Sequence, residues 1–552
     1  MAAPTYIYLR VLSTVACRLE RWREDPYYGK VAVVHAGNGY VVGDFTGWLP
    51  GAFKGRVDLP PGLYYISDKN EACAVEPPEY PWHFPVPYMA ADWGDVVELR
   101  IYAPEPPEVA GGDVVELLRG DIYNIYLGVS KRRRYQIRCC GRVLQFKSPP
   151  RPRGPGIFAM YEVLPDRAAD RTRCKDLKRD FCGGTLKDAA QLAIDASSFA
   201  DALYLHPIYP AMSYHRYDVV DHFQVDERLG GWDSFRALRE ALKNSGMGLI
   251  LDVVLYHVGL RNSIFPDGPF IIRDLEFAKL IKALSERLPK YALSQLLAGE
   301  PPYETFLKAW LMPRLDYGNK AAVEYARRVI EHWTPHVDGF RLDVAHGIPP
   351  EVWAEVLAPA SALYVLGEHV GNPAPFYKAI KGFTAYILYR ELIQRLAGDV
   401  ENLVRGVNKY IALTPPHALP YMNTFLENHD TDRAATLLGG LEPLFKGYAL
   451  LYSLPGVPSI YAGGECGEPG KSADHTNRKP YRPCPGHPIA RALTQLYRAR
   501  RLYGLWRGPA WAVAKRGEVV VMGRGVKAEI GAKRAVISDT EKTTEIIFMS
   551  SL

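Results

Sequence analysis

The sequence predicts an α/β protein built on an eight-stranded parallel (β/α)8 TIM barrel, with an N-terminal β-sandwich domain and a small C-terminal β domain. The chain has 552 residues, of which 48% are hydrophobic and 23% charged, as in a globular protein of several domains. Between residues 157 and 503, short apolar runs alternate with amphipathic helical patterns, which is typical of repeated strand–helix units. On either side, β-branched and aromatic runs alternate with Gly, Pro and Asp, which predicts β domains.

The N-terminal β-sandwich domain is predicted over residues 1–150. Its strand signals are runs such as YYGKVAVVHAGNGYVVGDFTGW and LPPGLYYI, in which β-branched and aromatic residues are separated by turn residues. The proline-rich stretch at 148–156 cannot continue a helix or a central strand. We therefore expect it to link this domain to the next.

The barrel is predicted over residues 151–505. Its eight strand candidates are FAMYEVLP from 158, ADALYLHPIY from 200, GLILDVVLYH from 248, VDGFRLDVAH from 337, ALYVLGEH from 362, FTAYILY from 383, MNTFLENHD from 422 and PSIYAGGE from 458. An insertion at about 258–311, with two helical patterns, follows strand three and would overhang the barrel mouth. An open doubly wound sheet is the alternative, but no glycine fingerprint after a strand supports it. Residues 506–552 predict the small C-terminal β domain.

Charge and hydropathy argue against nucleic-acid and membrane partners. The 67 basic and 61 acidic residues leave a net charge of only +6, without a basic domain. The single basic run, residues 131–134, is typical of a solvated turn. The longest apolar stretch, residues 246–260, contains Asp252 and His257 and cannot cross a bilayer. The first residues lack the pattern of an export signal, so we expect a cytoplasmic protein.

The eight cysteines have no metal-ligand spacing, so no metal site is predicted from them. Reduced, packed thiols are the simpler interpretation. Disulfides between Cys174 and Cys182, and between Cys466 and Cys484, are the alternative if the source is a hyperthermophile. A scarcity of Asn, Gln and Met points the same way, towards a thermostable protein.

Carboxylates and histidines gather where predicted strands end. They are Asp252, His257, Arg341, Asp343, Glu368, His429 and Asp430. The carboxyl ends of all barrel strands face one mouth, so these side chains are expected to meet there. Arg341 and Asp343 are two apart on a strand and leave it on the same face. The guanidinium should then lower the pKa of Asp343 and keep it ionised, as a nucleophile requires.

Glu368 follows the apolar run at 363–366, so its pKa should be raised, which suits a general acid. An ionised and a protonated carboxyl group about 5 to 5.5 Å apart can cleave a glycoside with retention of configuration. Asp430 adds a third acidic group that could hold sugar hydroxyls as the transition state forms. The pattern therefore predicts a glycoside hydrolase.

Four segments resemble the signature regions of the α-amylase family, glycoside hydrolase family 13. They are residues 252–257 (DVVLYH), 339–346 (GFRLDVAH), 367–369 (GEH) and 425–430 (FLENHD). The resemblance implies that Asp343 is the nucleophile, Glu368 the acid/base and Asp430 the transition-state stabiliser. It also implies a substrate-binding set comprising His215, Tyr217, His257, Arg341, His346 and His429, with the ring of Tyr217 stacked under the sugar.

Two further segments are similar to a narrower branch of that family. Residues 312–316 (MPRLD) are similar to the M-P-K-L-N marker of neopullulanases, cyclomaltodextrinases and maltogenic amylases, and GDFTGW to their starch-binding-like sandwich. The resemblance implies cleavage of α-1,4 bonds in cyclodextrins, maltodextrins, pullulan or starch, by a homodimer formed through the N-terminal domain. The alternatives are an α-glucanotransferase or branching-type transferase on the same barrel, and a non-catalytic carbohydrate-binding relative.

The sequence also departs from the family pattern. Tyr256 stands where many α-amylases have an asparagine that binds calcium, and the loop DRAADRTRCKDLKRD is too basic for a hard cation. We therefore predict no cofactor, and calcium is not predicted. The residues after the nucleophile and acid/base, His346-Gly347 and His369-Val370-Gly371, also differ from those of the branch. The balance of hydrolysis and transfer stays open.

Overall fold

A computed structural model describes residues 90–549, apart from short gaps at 104, 121–123, 132–134, 140–141, 147–150, 372, 374–375, 506–507 and 524. N-terminal to these, it describes the backbone of five strands. Most of the GDFTGW segment, the basic run at 132–134 and the start of the proline-rich linker lie outside the described residues. The domain boundaries at 150/151 and 505/506 stay predictions.

The N-terminal part is made of three sheets. Its strands are β1 (Arg18–Asp25), β2 (Gly29–His35), β3 (Tyr40–Asp44), β4 (Leu63–Ile66), β5 (Ala72–Val75), β6 (Ala90–Asp92), β7 (Val97–Ala103), β8 (Glu108–Val109), β9 (Gly112–Leu118), β10 (Asn124–Ser130), β11 (Tyr135–Cys139) and β12 (Arg142–Phe146). They form the sheets β1-β2-β3-β4-β5, β6-β7-β10-β9 and β12-β11-β8. Apolar residues of β7 and β10 pack against Val109 and Ile137 of the third sheet, so two sheets share one core.

Eight parallel strands form the barrel. They are β13 (Met160–Val163), β14 (Ala202–Leu205), β15 (Gly248–Val253), β16 (Gly339–Leu342), β17 (Tyr364–Gly367), β18 (Gly382–Phe383), β19 (Asn423–Phe425) and β20 (Val457–Tyr461). Their order is β18-β17-β16-β15-β14-β13-β20-β19, and a parallel bridge between Thr384 and Asn423 joins the two ends. The predicted fold class is confirmed.

Helices surround the barrel and fill the insertion. They are α1 (Leu186–Ala196), α2 (Gly231–Asn244), α3 (Leu275–Arg287), α4 (Lys290–Leu296), α5 (Lys320–Trp333), α6 (Pro350–Val356), α7 (Tyr386–Arg395), α8 (Val400–Leu413), α9 (Ala434–Leu438), α10 (Leu441–Ser453) and α11 (Pro488–Tyr503). α1 begins with a capping box between Thr185 and Asp188, which satisfies exposed backbone N–H groups. α3 and α4 are the two helices expected in the insertion. None of the helices in the described part of the chain is long and apolar enough to cross a membrane.

One strand prediction was partly wrong. The run FTAYILY from 383 was expected to be a strand throughout, but β18 ends at Phe383 and α7 begins at Tyr386. The apolar residues of α7 that pack inwards include Leu388 and Leu392, which are four apart and lie on one helix face. A short apolar run does not distinguish a buried strand from the first turns of a buried helix.

The C-terminal strands form an antiparallel sheet beside α8. They are β21 (Trp511–Lys515), β22 (Glu518–Met522), β23 (Lys527–Ile530), β24 (Arg534–Ser538) and β25 (Thr543–Ile547), hydrogen-bonded in sequence order. The amide side chain of Asn408 on α8 exchanges two hydrogen bonds with the backbone of Ala512, at 2.8 and 3.0 Å. On the same helix, the carbonyl of Ile411 accepts a hydrogen bond from Nε of Arg100 on β7. α8 thus joins the barrel to both flanking parts.

Four cysteines form two disulfides, Cys174–Cys182 and Cys466–Cys484. The simpler interpretation of reduced thiols was therefore wrong for these four residues, and the alternative pairing is the observed one. Spacings of 8 and 18 residues allow either state, so the distinction depends on how close the folded loops bring the sulfur atoms.

Candidate active site

Three carboxylates converge on one buried arginine at the barrel mouth. Nη1 of Arg341 lies 3.0 Å from both Asp252 oxygens and 2.8 Å from Oδ1 of Asp343. Nη2 lies 3.1 Å from Oε1 of Glu368. The side chain of Arg341 is only 2% exposed. We call Arg341, Asp252, Asp343 and Glu368 the Arg341 cluster; it unites the two carboxylates predicted to carry the chemistry and adds Asp252 as a further partner of the guanidinium.

The backbone after β16 sets the geometry of this cluster. Asp343 directly follows β16, and the next residue, Val344, has φ 46° and ψ 45°. A β-branched residue rarely adopts this left-handed conformation, which costs on the order of 1–3 kcal/mol. The turn directs the backbone N–H of Val344 to Oε2 of Glu368, at 2.9 Å. Glu368 therefore accepts a hydrogen bond on Oε2 and forms an ion pair with Arg341 through Oε1, and these two contacts fix its carboxyl group.

The electrostatics of Asp343 differ from the expectation. Burial raises its pKa well above the usual value, and the negative charge of Glu368 adds to this, although Arg341 opposes both. The prediction that Arg341 keeps the pKa low was wrong in direction, because burial of the carboxyl group, together with the charge of Glu368, outweighs the effect of Arg341. The protonated form of Asp343 is therefore favoured in this site.

Asp430 lies on the loop after β19 between two cations. Its Oδ1 accepts a hydrogen bond from Nη2 of Arg478 at 2.8 Å, and its Oδ2 lies 3.0 Å from Nε2 of His429. Burial alone would raise the pKa of Asp430, but His429 and Arg478 together hold it well below its usual range. Asp430 is thus a carboxylate at neutral pH, as the expected stabiliser of positive charge must be.

Tyr217 connects the Arg341 cluster to His429, the neighbour of Asp430. Its hydroxyl lies 2.8 Å from Oδ2 of Asp252 and 3.0 Å from Nε2 of His429, and its ring stacks on the His429 ring at 5.5 Å. Its backbone N–H donates to Nδ1 of His215 at 3.2 Å. The preceding residue, Arg216, has φ 61° and is held by Asp226. This turn places Tyr217 over the Arg341 cluster.

The remaining predicted binding residues, His257 and His346, lie at the edge of the Arg341 cluster. His257 is buried, and its Nε2 faces the carbonyl oxygen of Tyr217 at 3.0 Å while Phe306 stacks on its ring. Burial lowers the pKa of His257 to about 4, so it is neutral. His346 is half-buried, with Nδ1 3.5 Å from the carbonyl oxygen of Glu368. His257 and His346 thus contact the backbone carbonyl oxygens of Tyr217 and Glu368.

Two buried residues of the site were missed from the sequence. Glu162, on β13, and His206, directly after β14, form a 2.9 Å hydrogen bond, and Glu162 also contacts His429 at 3.1 Å. Both follow the rule used for the others, since they occupy the carboxyl ends of strands one and two. Arg478 was missed because it lies far along the loop between β20 and α11, well beyond the end of the strand. A search of every strand end would have found the first two.

Candidate metal ligands are already engaged with one another. Oxygen and nitrogen atoms of Glu162, His206 and His429 lie within 4.8 Å of one another, but hydrogen bonds link them. In the group of Asp170, Cys174 and Cys182, both sulfur atoms belong to a disulfide.

The position where many α-amylases bind calcium does not fit a hard cation. The Tyr256 ring occupies it, with the Arg314 guanidinium 5.4 Å away. A Cβ atom on Gly347 would lie 2.4 Å from the same ring, so the ring packs directly on the backbone there. A tyrosine ring beside a guanidinium supplies neither the carboxylate nor the carbonyl oxygens that calcium prefers, and the positive charge of Arg314 opposes a cation there.

Comparisons with known proteins agree with this geometry. Residues 199–360 match the α-amylase catalytic domain. The cyclomaltodextrinase of Bacillus sp is 29% identical over 335 residues, or 56% of this chain and 58% of that protein. Neopullulanase 2 of Thermoactinomyces vulgaris is 28% identical over 359 residues, or 58% of each chain. This chain thus spans less than two thirds of the length of these curated relatives.

The maltogenic amylase structure from S. marinus has a TM-score of 0.69 at 20% identity, covering 92% of this chain and 84% of that one. At that identity the likeness shows the fold alone. The family resemblance itself rests on the catalytic-domain match and the curated relatives, together with the four motifs. Residues 199–360, within the barrel, are therefore similar to the catalytic domain of the α-amylase family.

Proposed function

We propose that the protein is a retaining α-glucan hydrolase that cleaves α-1,4-glucosidic bonds. The observation that supports this most directly is the contact of Asp343 and Glu368 with the two terminal nitrogens of one guanidinium. That arrangement brings both carboxyl groups to one cation, which supports the close pair, about 5 to 5.5 Å apart, that the retaining reaction needs.

In the proposed reaction, Glu368 gives a proton to the glycosidic oxygen as the bond between that oxygen and the anomeric carbon breaks. An oxygen of ionised Asp343 attacks the anomeric carbon and forms a glycosyl ester. Glu368 then takes a proton from water, the water oxygen attacks the same carbon, and Asp343 leaves as a carboxylate. Because the pKa of Asp343 is raised, Asp343 must give up its proton before the attack, and Glu368, which contacts the same guanidinium, is the adjacent acceptor.

The other predicted residues act on the sugar at the cleaved site. Asp430, held ionised by His429 and Arg478, would stabilise the positive charge of the oxocarbenium-like transition state. The Tyr217 ring offers an apolar face for the pyranose ring. His215, His257 and His346 lie around this face and would orient it through short polar contacts.

Cyclodextrins and short maltodextrins are the proposed preferred substrates, with pullulan and starch as slower ones. The names of the curated relatives, cyclomaltodextrinase and neopullulanase, support this choice. The insertion with α3 and α4 also supports it, because a segment of this size beside the mouth would hinder a long polymer.

The test is the initial rate and product profile on β-cyclodextrin, pullulan and starch, with the anomer of the first product followed by NMR. Ring opening to α-anomeric maltodextrins is the expected result. β-Anomeric products would contradict the retaining mechanism, and redistribution of chain lengths without new reducing ends would identify a transferase. Asp343→Asn should abolish turnover. Asp338→Asn, which removes a 49% exposed carboxylate before β16, is the matched control and should not.

We also propose that the reaction needs no cofactor and no calcium. The aromatic ring of Tyr256 at the usual calcium position supports this. The rate after exhaustive EDTA treatment should equal the untreated rate, and full recovery of a lost rate by added calcium would contradict the proposal.

A thermostable, cytoplasmic homodimer, formed through the N-terminal domain, completes the proposal. The name of one relative, an intracellular maltogenic amylase of Bacillus subtilis, supports the location, and the two disulfides support the stability. Sedimentation of the full chain against a variant lacking residues 1–89 tests the dimer, and a monomeric full chain at micromolar concentration would refute it.

A further inference from the structure

Glu162 links two histidines beneath the candidate site. It is 1% exposed, and its Oε1 accepts hydrogen bonds from Nε2 of His206 at 2.9 Å and Nδ1 of His429 at 3.1 Å. Its Oε2 lies 3.5 Å from Oγ of Ser459. A buried carboxylate is costly unless it is hydrogen-bonded or paired with a charge, and these contacts supply both.

His429 lies between two carboxylates. Its Nδ1 contacts Glu162, and its Nε2 contacts Oδ2 of Asp430 at 3.0 Å. A neutral imidazole has one N–H, so it would turn a lone pair towards one of these carboxylates. Only the imidazolium donates a proton to both. The geometry therefore calls for a positively charged His429.

We propose that Glu162 is a positioning residue that keeps His429 protonated and thereby holds Asp430 ionised and oriented. Glu162 touches neither Asp343 nor Glu368 in the hydrogen bonds and ion pairs of the described residues, and acts through His429. The inference rests on the proposed function, because Asp430 is there the group that stabilises the transition state.

Titratable and charged groups from several elements face His429. They are Glu162 on β13, His206 after β14, Tyr217, Asp430, and Arg478, whose Nε donates to the carbonyl oxygen of His429. Burial works against the imidazolium, but Asp430 and Glu162 raise the pKa of His429 to about 9. Burial and the charge of His429 lower the pKa of His206 to about 4, so it stays neutral. His429 thus carries the positive charge of the pair.

Activity should depend on the protonation of His429. His429 is protonated below a pKa of about 9 and loses its charge above it, so activity should fall on the alkaline side. Glu162→Gln removes one of the two carboxylates that support the charge. The alkaline limb of kcat/KM should then move down by about one pH unit or more, since a neighbouring opposite charge is worth that much.

The experiment measures kcat and KM from pH 5 to 10 for wild type, Glu162→Gln and Glu427→Gln. Glu427 is also buried and pairs with Arg433 at 2.9 Å, so the control removes a carboxylate from the same loop region without touching His429. Glu162→Gln should lose about tenfold more kcat/KM at pH 9 than at pH 6. At pH 6 the solution is acidic enough to keep His429 protonated even without the charge of Glu162. An equal loss at both pH values, or the same shift in Glu427→Gln, would overturn the inference.

A second measurement does not depend on activity or on the folding of a variant. With ¹⁵N-labelled histidine, the ring nitrogens of His429 in the wild-type protein should show the imidazolium state at pH 7.5. A neutral His429 at that pH would overturn the inference. Absence of α-glucan hydrolysis by wild type would instead refute the proposed function and leave this readout intact. Loss of activity on chelation, restored by a transition metal only when Glu162 is present, would make the group a metal site and also overturn the inference.

Discussion

Replacing Arg341 by methionine would remove the single cation shared by three buried carboxylates. Arg341→Met keeps an unbranched side chain of similar length but leaves Asp252, Asp343 and Glu368 facing one another without compensation. Removing one partner of a buried ion pair typically costs about 3–5 kcal/mol. We expect a loss of unfolding free energy in this range at pH 8. At that pH the carboxyl groups must either be ionised without a counter-charge or stay protonated although the pH is far above their ordinary pKa.

The same reasoning fixes the pH dependence of that loss. Protonated carboxyl groups need no cation, so the destabilisation should shrink as the pH falls towards the ordinary pKa of the carboxyl groups, about 4. Urea denaturation followed by tryptophan fluorescence at pH 4.5 and pH 8 measures the difference. Arg239→Met is the matched control, because Arg239 pairs with Asp338 at 2.7 Å on the surface and should cost less than about 1 kcal/mol. A loss below 1 kcal/mol for Arg341→Met at pH 8, or one independent of pH, would refute the argument.

Two further predictions concern neighbours of this cluster. Asp343→Asn should lower kcat by at least about 10⁴-fold, as expected for a covalent nucleophile. Wild type should lose stability as the pH rises from 3.8 through the raised pKa of Asp343, and the variant should be spared this loss. The urea midpoints of the two proteins should therefore diverge with increasing pH, in favour of the variant. A variant less stable than wild type at pH 8 would contradict this. Gly347→Ala places a Cβ 2.4 Å from the Tyr256 ring and should cost about 1–3 kcal/mol. Combining it with Tyr256→Ala should cost less than the sum, and simple additivity would argue against the clash.

The chemistry-bearing residues at the ends of β15, β16, β17 and β19 could be found from the sequence, because each follows an apolar run at a fixed position. In a parallel barrel all such positions open onto one mouth, so local pattern predicts spatial proximity. The same logic placed Asp252 at the end of β15, next to this group. It was not extended to β13 and β14, which is why Glu162 and His206 were missed. Arg478 lies far along the loop after β20, and its place beside Asp430 depends on a loop path that no periodicity encodes.

The electrostatic state of the site depends on distances between elements far apart in the chain. Two residues on one strand predicted a lowered pKa for Asp343, whereas the fold buries this carboxyl group and adds Glu368 and Asp252 from neighbouring strands, which reverses the direction. Likewise, the charge of His429 follows from its position between Glu162 and Asp430. The sequence by itself determined the barrel and the candidate residues at its strand ends, since these follow from hydrophobic period and order along the chain. Only the tertiary structure decided the direction of the pKa shifts of Asp343 and His429, because desolvation and Coulombic interactions depend on burial and separation in space.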